Sequence, residues 1–282
     1  MPRMTEAAAS IRKRHGSPMS LVGPDHPAAD AGKTLEVRDL DHTYSVNGKT
    51  TQALKDIAFD VSAGRFLSIV GPSGCGKSSL LMMLAGLLTP SEGVIAVGGR
   101  PLTKPDPTRV GVVFQDASLF PWLTARRNVE FPLFLRGVDK ALRREKAEEA
   151  LALVGLERFA DSLPHELSGG MKQRVSIARG LVQDPPILLM DEPFAALDEQ
   201  TRITMGDELL RIWEKARKTI VFVTHGLSEA IYLSDEVLVL SGRPGRILDR
   251  VVIDLPRPRS LDMMAQPRFA ELREAIWHMI KA

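Results

Sequence analysis

Gly71-Pro72-Ser73-Gly74-Cys75-Gly76-Lys77-Ser78 places glycines, a lysine and a hydroxyl at the spacing G-x-x-x-x-G-K-S. Residues of these types at this spacing can hold phosphate. Gly71, Gly74 and Gly76 allow turns that side chains would block and aim backbone N–H groups inward, forming a concave anion nest. A helix beginning just after the loop adds its partial positive charge. Lys77 can then reach the β- and γ-phosphates of a nucleoside triphosphate, and Ser78 can offer its hydroxyl to Mg²⁺. Cys75 fits this loop as a small filler, inert rather than catalytic. A glycine-rich turn is often only a turn, so context decides. Here Phe66-Leu67-Ser68-Ile69-Val70 has the apolar texture of a buried strand, and Ser78 to Leu88 that of a core helix. Strand, loop and helix is the order a phosphate loop requires.

The second chemical cluster is Ile187-Leu188-Leu189-Met190-Asp191-Glu192, an apolar run ending in two carboxylates. Successive strand residues face opposite sides, so the two acids can take different tasks. Asp191 is expected to join the Mg²⁺ shell and Glu192 to polarise an attacking water. An acidic pair after a strand often does no more than cap a turn. The phosphate loop in the same chain favours hydrolysis.

The rest of the chain must position these residues. At 282 residues, 44% of them apolar and 26% charged, the chain fits one elaborated α/β domain. With 37 Lys+Arg against 35 Asp+Glu, nothing in its charge calls for nucleic acid. A single cysteine excludes an internal disulfide framework and fits a reducing compartment. No apolar run is long enough to span a bilayer, so at a membrane a partner must do the spanning. Residues 1–33 lack a secretory apolar stretch and are expected to form a flexible extension. Beyond them Asn47-Gly48 suggests a hairpin before Ala53 to Val61, in an antiparallel edge sheet. Strand-like runs continue at Gly93 to Val97 and Val110 to Phe114, after which a helical insertion of about 117–183 is expected, with helices at Arg127 to Leu135 and Lys140 to Val154. From Ile187 strand and helix alternate, which predicts a parallel sheet covered by helices. The main domain is drawn at 34–258, and a tail at 259–282 carries Phe269, Leu272, Ile276 and Ile280 at helical spacing.

Leu167-Ser168-Gly169-Gly170-Met171-Lys172-Gln173-Arg174 resembles the signature motif of the ATP-binding-cassette family. On its own a Ser-Gly-Gly is usually a helix cap. Its company also resembles that family, in the family's order: Tyr44 the adenine-stacking aromatic, Gln115 the glutamine joining core to helical insert, Asp198 the dimer-contact aspartate, His225 the switch histidine. Ser79, where threonine is common, keeps its hydroxyl, while Gly226 stands in place of a frequent capping aspartate. The resemblance implies a P-loop NTPase core with a mostly parallel sheet, an antiparallel β edge subdomain and a helical subdomain insertion. It implies ATP and Mg²⁺ as ligands. Gly71 to Ser79, Tyr44, Ser168, Gly169 and Gly170 would hold the nucleotide, while Ser78, Gln115 and Asp191 would hold the metal. Lys77, Gln115, Glu192 and His225 would serve hydrolysis. It further implies a head-to-tail homodimer, because the signature of one subunit faces the γ-phosphate bound by the other.

Cassette ATPases of DNA repair and of ribosomes usually carry a coiled-coil insert or two cassettes, and this chain has neither. A small-molecule phosphoryl transferase is disfavoured by the signature and by Glu192. Leu119-Phe120-Pro121-Trp122-Leu123-Thr124, Pro193 to Asp198 and Arg243-Pro244-Gly245-Arg246 resemble the ATPases of nitrate, sulfonate and taurine importers. The resemblance therefore implies a subunit on the cytoplasmic face of the cell membrane. Its partners would be permease subunits and, indirectly, an extracytoplasmic solute-binding protein. Pyrimidine precursors and bicarbonate are alternative cargos, and non-transport work is an alternative role. Phe120, Trp122 and Leu123 either pack the insert's own core or line a groove for a cytoplasmic helix of the permease.

Overall fold

The computed structural model describes residues 33–281 apart from 47 and 196. Residues 1–32 of the expected N-terminal extension therefore lie outside the described residues, as does Asn47 of the hairpin, while Lys33 begins the first strand. Strands β1 (Lys33–Val46) and β2 (Lys49–Ser62) run antiparallel, from Lys33 opposite Ser62 to Val46 opposite Lys49, a closure that leaves a two-residue turn. Gly48 in that turn takes φ 74°, the left-handed region that type I′ hairpins need. Strand β3 (Phe66–Val70) leads into helix α1 (Lys77–Leu84). This helix stops four residues before the expected Leu88. Gly86 at φ 71° donates to the Met83 carbonyl and Leu87 to that of Met82, a left-handed stop inside a continuing apolar run. Strands β4 (Glu92–Val97) and β5 (Arg100–Pro101) complete a four-stranded antiparallel sheet in the order β2-β1-β4-β5.

After β6 (Val110–Val113) come three helices, α2 (Ala125–Leu135), α3 (Lys140–Leu153) and α4 (Gly169–Leu181). Thr124 and Asp139 cap α2 and α3 by accepting from first-turn amides. The expected apolar stripe of Ala147, Ala150, Leu151 and Val154 is buried against Val129, Leu133 and Val175. Strand β7 (Ile187–Asp191), helix α5 (Glu199–Ala216), strand β8 (Thr219–Val223), helix α6 (Leu227–Leu233) and strands β9 (Glu236–Leu240) and β10 (Ile247–Val252) follow, and α7 (Pro267–Lys281) ends the described chain.

The second sheet has the order β10-β9-β3-β8-β7-β6, parallel throughout except for β10, which pairs antiparallel with β9. Its inner parallel strands are apolar on both faces because both are covered, whereas the edge strand β10 leaves Leu248 and Val252 exposed. Leu67, Ile69, Leu189, Val221, Val223 and Leu238 face a core shared with the antiparallel sheet and α1. Their neighbours Phe66, Leu188, Met190, Ile220, Phe222 and Val237 face a core shared with the other helices. Each such side chain contributes about 1.5–3 kcal/mol on full burial, so this two-sided packing fixes where the strand ends point. Two arginines beyond β10 secure α6. Arg259 donates to the Ile231, Tyr232 and Ser234 carbonyls, while Arg257 pairs with Asp235 at 2.9 Å and lies 4.2 Å over the Trp213 ring. Burial pulls the Arg259 guanidinium down to about 9.

Candidate active site

The register of the parallel sheet brings the chemical residues together. Val223 lies opposite Asp191 on one side and Ile69 on the other, so β3, β7 and β8 end side by side. The segments that leave these ends flank one crevice, the place where α/β sheets bind ligands. The loop after β3 takes left-handed conformations at Gly74 (φ 75°) and Gly76 (φ 105°). Gly71 is needed for a different reason: an added Cβ would come within 2.9 Å of the Leu240 carbonyl oxygen. Gly76 caps α1 without a side-chain acceptor, leaving first-turn amides to face the crevice. Lys77 is buried, with Nζ donating to the carbonyls of Gly71 (2.9 Å) and Pro72 (3.1 Å). Ser78 Oγ donates to Asp191 Oδ1 at 3.3 Å. Burial raises the Asp191 carboxyl above its ordinary range, with the bond from Ser78 opposing the shift and the charge of Glu192 adding to it. Cys75 is buried and its thiol is pushed up by that burial, which removes thiolate character.

Asp191 and Glu192 do take different partners, but not through strand alternation. Glu192 lies one residue past β7 at φ 44°, its N–H donating to the Val223 carbonyl at 2.9 Å. That left-handed residue turns its carboxylate toward β8, where Oε2 meets His225 Nδ1 at 2.8 Å. His225 is held by its neighbours. Thr224 Oγ1 accepts from the Gly226 N–H at 2.9 Å and donates to Glu229. Gly226 is the N-cap of α6 and lacks the side-chain acceptor that an aspartate there would offer to the first-turn amides. Glu229 is raised by burial and carries an Oε1 with no hydrogen-bond partner among the described residues.

A cleft of ≈ 470 Å³ opens over the loop, lined by Tyr44, Thr51, Ala53, Ser73, Gly74, Gly76, Lys77, Ser78, Ser79, Glu192 and Arg243. Tyr44 stands at its edge, half-exposed. Its hydroxyl is 2.9 Å from Ser79 Oγ and its ring is edge-on to His42 at 4.5 Å. Thr51, Ala53 and Arg243 were not singled out as site residues from sequence. They reach the cleft from β2 and from the β9–β10 turn, contacts too distant along the chain for any local pattern to show. Several expected residues are absent from this lining. Ser168 caps α4, accepting from Met171 N at 3.3 Å, while Gly170 packs near Met205 and Thr201. Gln115 is exposed just after β6. Asp198 caps α5, accepting from the Thr201 amide at 2.9 Å.

A profile of the ABC transporter family matches residues 54–195. The chain belongs to the ABC transporter family. It is 49% identical to an uncharacterised ABC transporter ATP-binding protein of Methanocaldococcus jannaschii, over 88% of this chain and 91% of that one. A taurine import ATP-binding protein of Rhizobium johnstonii is 47% identical over 81% of this chain and 89% of its own. A nitrate import ATP-binding protein of a Synechocystis species is 43% identical over 88% and 95%. Among solved structures, an ATP-binding cassette dimer in a post-hydrolysis state, bound to ADP and phosphate, superposes with a TM-score of 0.68. It is 33% identical, covering 79% of this chain and all of the other. This ABC family member is thus an ATP-binding and ATP-hydrolysing cassette with the P-loop NTPase fold expected from sequence.

Proposed function

We propose that the chain is the ATP-hydrolysing subunit of a membrane importer for a small anion, working as a head-to-tail pair. The observation that carries the pair is the split of the site. The phosphate loop and Glu192 line one cleft and Asp191 is bonded to Ser78 of that lining, while the signature begins α4 outside it, with Ser168 and Gly169 exposed. First-turn N–H groups have no partner within their own helix. Those of Gly169 and Gly170, with the Ser168 hydroxyl, suit the γ-phosphate held by the loop of a second copy. A bound triphosphate then joins two subunits and its cleavage frees them, a two-state element that the nucleotide biases.

Within each half-site the tasks divide by chemistry. Ser78 Oγ and the Asp191 carboxylate are hard oxygen donors that fit Mg²⁺, with Gln115 a third candidate. When bound, Mg²⁺ neutralises charge on the phosphate oxygens. Tyr44 offers its ring to the adenine. Glu192 takes a proton from the attacking water, and His225, donating through Nδ1, holds that carboxylate in place. Lys77 releases the Gly71 and Pro72 carbonyls to meet the β- and γ-phosphates.

The taurine and nitrate relatives support an anionic cargo, and their near-equal identity leaves its choice to the permease and an extracytoplasmic solute-binding protein. No helix among the described residues is long and apolar enough to cross a membrane, which agrees with docking on a permease at the cytoplasmic face. Glu192→Gln keeps size and hydrogen bonding but removes the base. Turnover should fall on the order of 10²–10⁴-fold, with an ATP-bound dimer accumulating on gel filtration. Wild-type turnover, or a monomer at saturating ATP, would reject the scheme.

A further inference from the structure

Arg243 sits on the turn between β9 and β10, 169 residues along the chain from Gly74, and its guanidinium lines the cleft. Nε and Nη2 donate to the Gly74 carbonyl at 3.3 and 3.1 Å. Among the described residues no carboxylate pairs with Arg243, whereas Arg246 on the same turn takes Asp56 at 3.3 Å. One arginine of the turn is thus neutralised, and the other is an unpaired cation beside the phosphate loop.

The turn is built to keep it there. Ser241 N donates to the Arg246 carbonyl and Arg246 N to Ser241 Oγ, both at 2.9 Å. Gly245 N donates to the Ala53 carbonyl at 2.8 Å, and its own carbonyl accepts from Lys55 N at 2.9 Å. An added Cβ at Gly245 would collide with the Cys75 carbonyl oxygen, so only glycine lets the turn lie this close to the loop. The turn is therefore fastened to β2 and pressed on the phosphate loop together. Lys77 offers the parallel, a cation resting on two other carbonyls of the same loop.

We propose that Arg243 is a second cationic ligand for the phosphate chain of the bound nucleotide. One edge of its guanidinium, Nε and Nη2, holds the Gly74 stretch of the loop. Nη1, which has no protein partner among the described residues, is left for an anionic phosphate oxygen. A planar fork can serve both at once, which a lysine ammonium on its flexible stem does less well. This inference rests on the cleft being the nucleotide site.

Calorimetric titration of the full-length chain with MgADP tests both, using wild type, Arg243→Gln, Arg243→Lys and Lys77→Ala. Arg243→Gln should weaken ADP binding about 10-fold, the loss expected for one charged hydrogen bond, with the Tm of the nucleotide-free chain unchanged. Arg243→Lys, which keeps the charge but not the fork, should recover only part of that loss, and the defect should shrink at high salt. Wild-type affinity in Arg243→Gln alongside weak binding in Lys77→Ala would overturn the inference and leave the cleft reading standing. Equal losses in both Arg243 variants with a lowered Tm would make Arg243 only a clamp, which also overturns it. Wild-type affinity in Lys77→Ala would remove the cleft reading and the inference with it.

Discussion

At the scale of single residues, the candidate site is a set of polar groups whose partners lie on neighbouring strand ends. Asp191 meets Ser78 and Glu192 meets His225 because β7 sits between β8 and β6 with its end level with that of β3. Behind this pair Glu229 is a buried carboxyl whose charged form is disfavoured by desolvation. Because its folded-state value is raised, its contribution to stability is full below the unfolded value. That contribution is lost as pH rises through the folded value. Glu229→Gln keeps an acceptor for Thr224 but cannot ionise. The stability of wild type relative to Glu229→Gln should therefore decline as pH rises above the ordinary glutamate value of 4.5. Urea unfolding of both proteins across the acid-to-neutral range measures the difference, and a flat difference would show that Glu229 is not held against ionisation. The types and spacing of Gly71 to Ser78 and of Asp191-Glu192 were legible because phosphate and metal chemistry needs few residue types. Glu229 and Arg243 were not, since an acid in a helix and an arginine in a turn are ordinary until burial and neighbours are known.

At the scale of elements, the segment before α2 separates two roles that sequence left open. Phe120 is partly buried, its ring 4.4 Å from that of Phe131, while Trp122 is 71% exposed. The loop does not depend on Trp122 for its shape. Asn128, fully buried, pins it: Oδ1 accepts from Phe120 N at 2.8 Å, and Nδ2 donates to the carbonyls of Phe120, Leu123 and Thr124 at 3.2, 3.0 and 3.1 Å. Trp122→Ala should therefore cost no more than about 0.5 kcal/mol, as a surface change, while lowering permease-stimulated ATPase and sparing basal turnover. Asn128→Ala strands several buried polar groups and should cost roughly 2–3 kcal/mol. Thermal melting of the two variants checks the contrast, and a larger loss in Trp122→Ala would place that ring in the core instead. Helix α1 gives the complementary lesson. Its apolar run continues past Leu84, but Gly86 packs against the Lys104 backbone and ends the helix early.

At the scale of the whole molecule, one chain presents the cleft over the glycine-rich loop and, apart from it, the signature helix. A mixed dimer of Lys77→Ala and Ser168→Arg chains would put both lesions in one composite site and leave the other intact. Each variant alone should be inactive, and mixing them should restore part of the ATPase rate. No recovery in dimers verified by cross-linking would argue that the signature acts within its own chain or that both sites must fire together. Sequence alone determined the chemistry on offer, a phosphate loop, an acidic pair and a signature, because each is a local string whose function depends on residue type and close spacing. It also determined most strands and helices, since their apolar periods follow from covered faces. Only the tertiary structure decided which strings share a cleft, that Glu192 turns toward His225 through a left-handed residue, and that Arg243 returns to the loop. Those outcomes depend on sheet order and register, which arise from packing between segments far apart in the chain and leave no local mark.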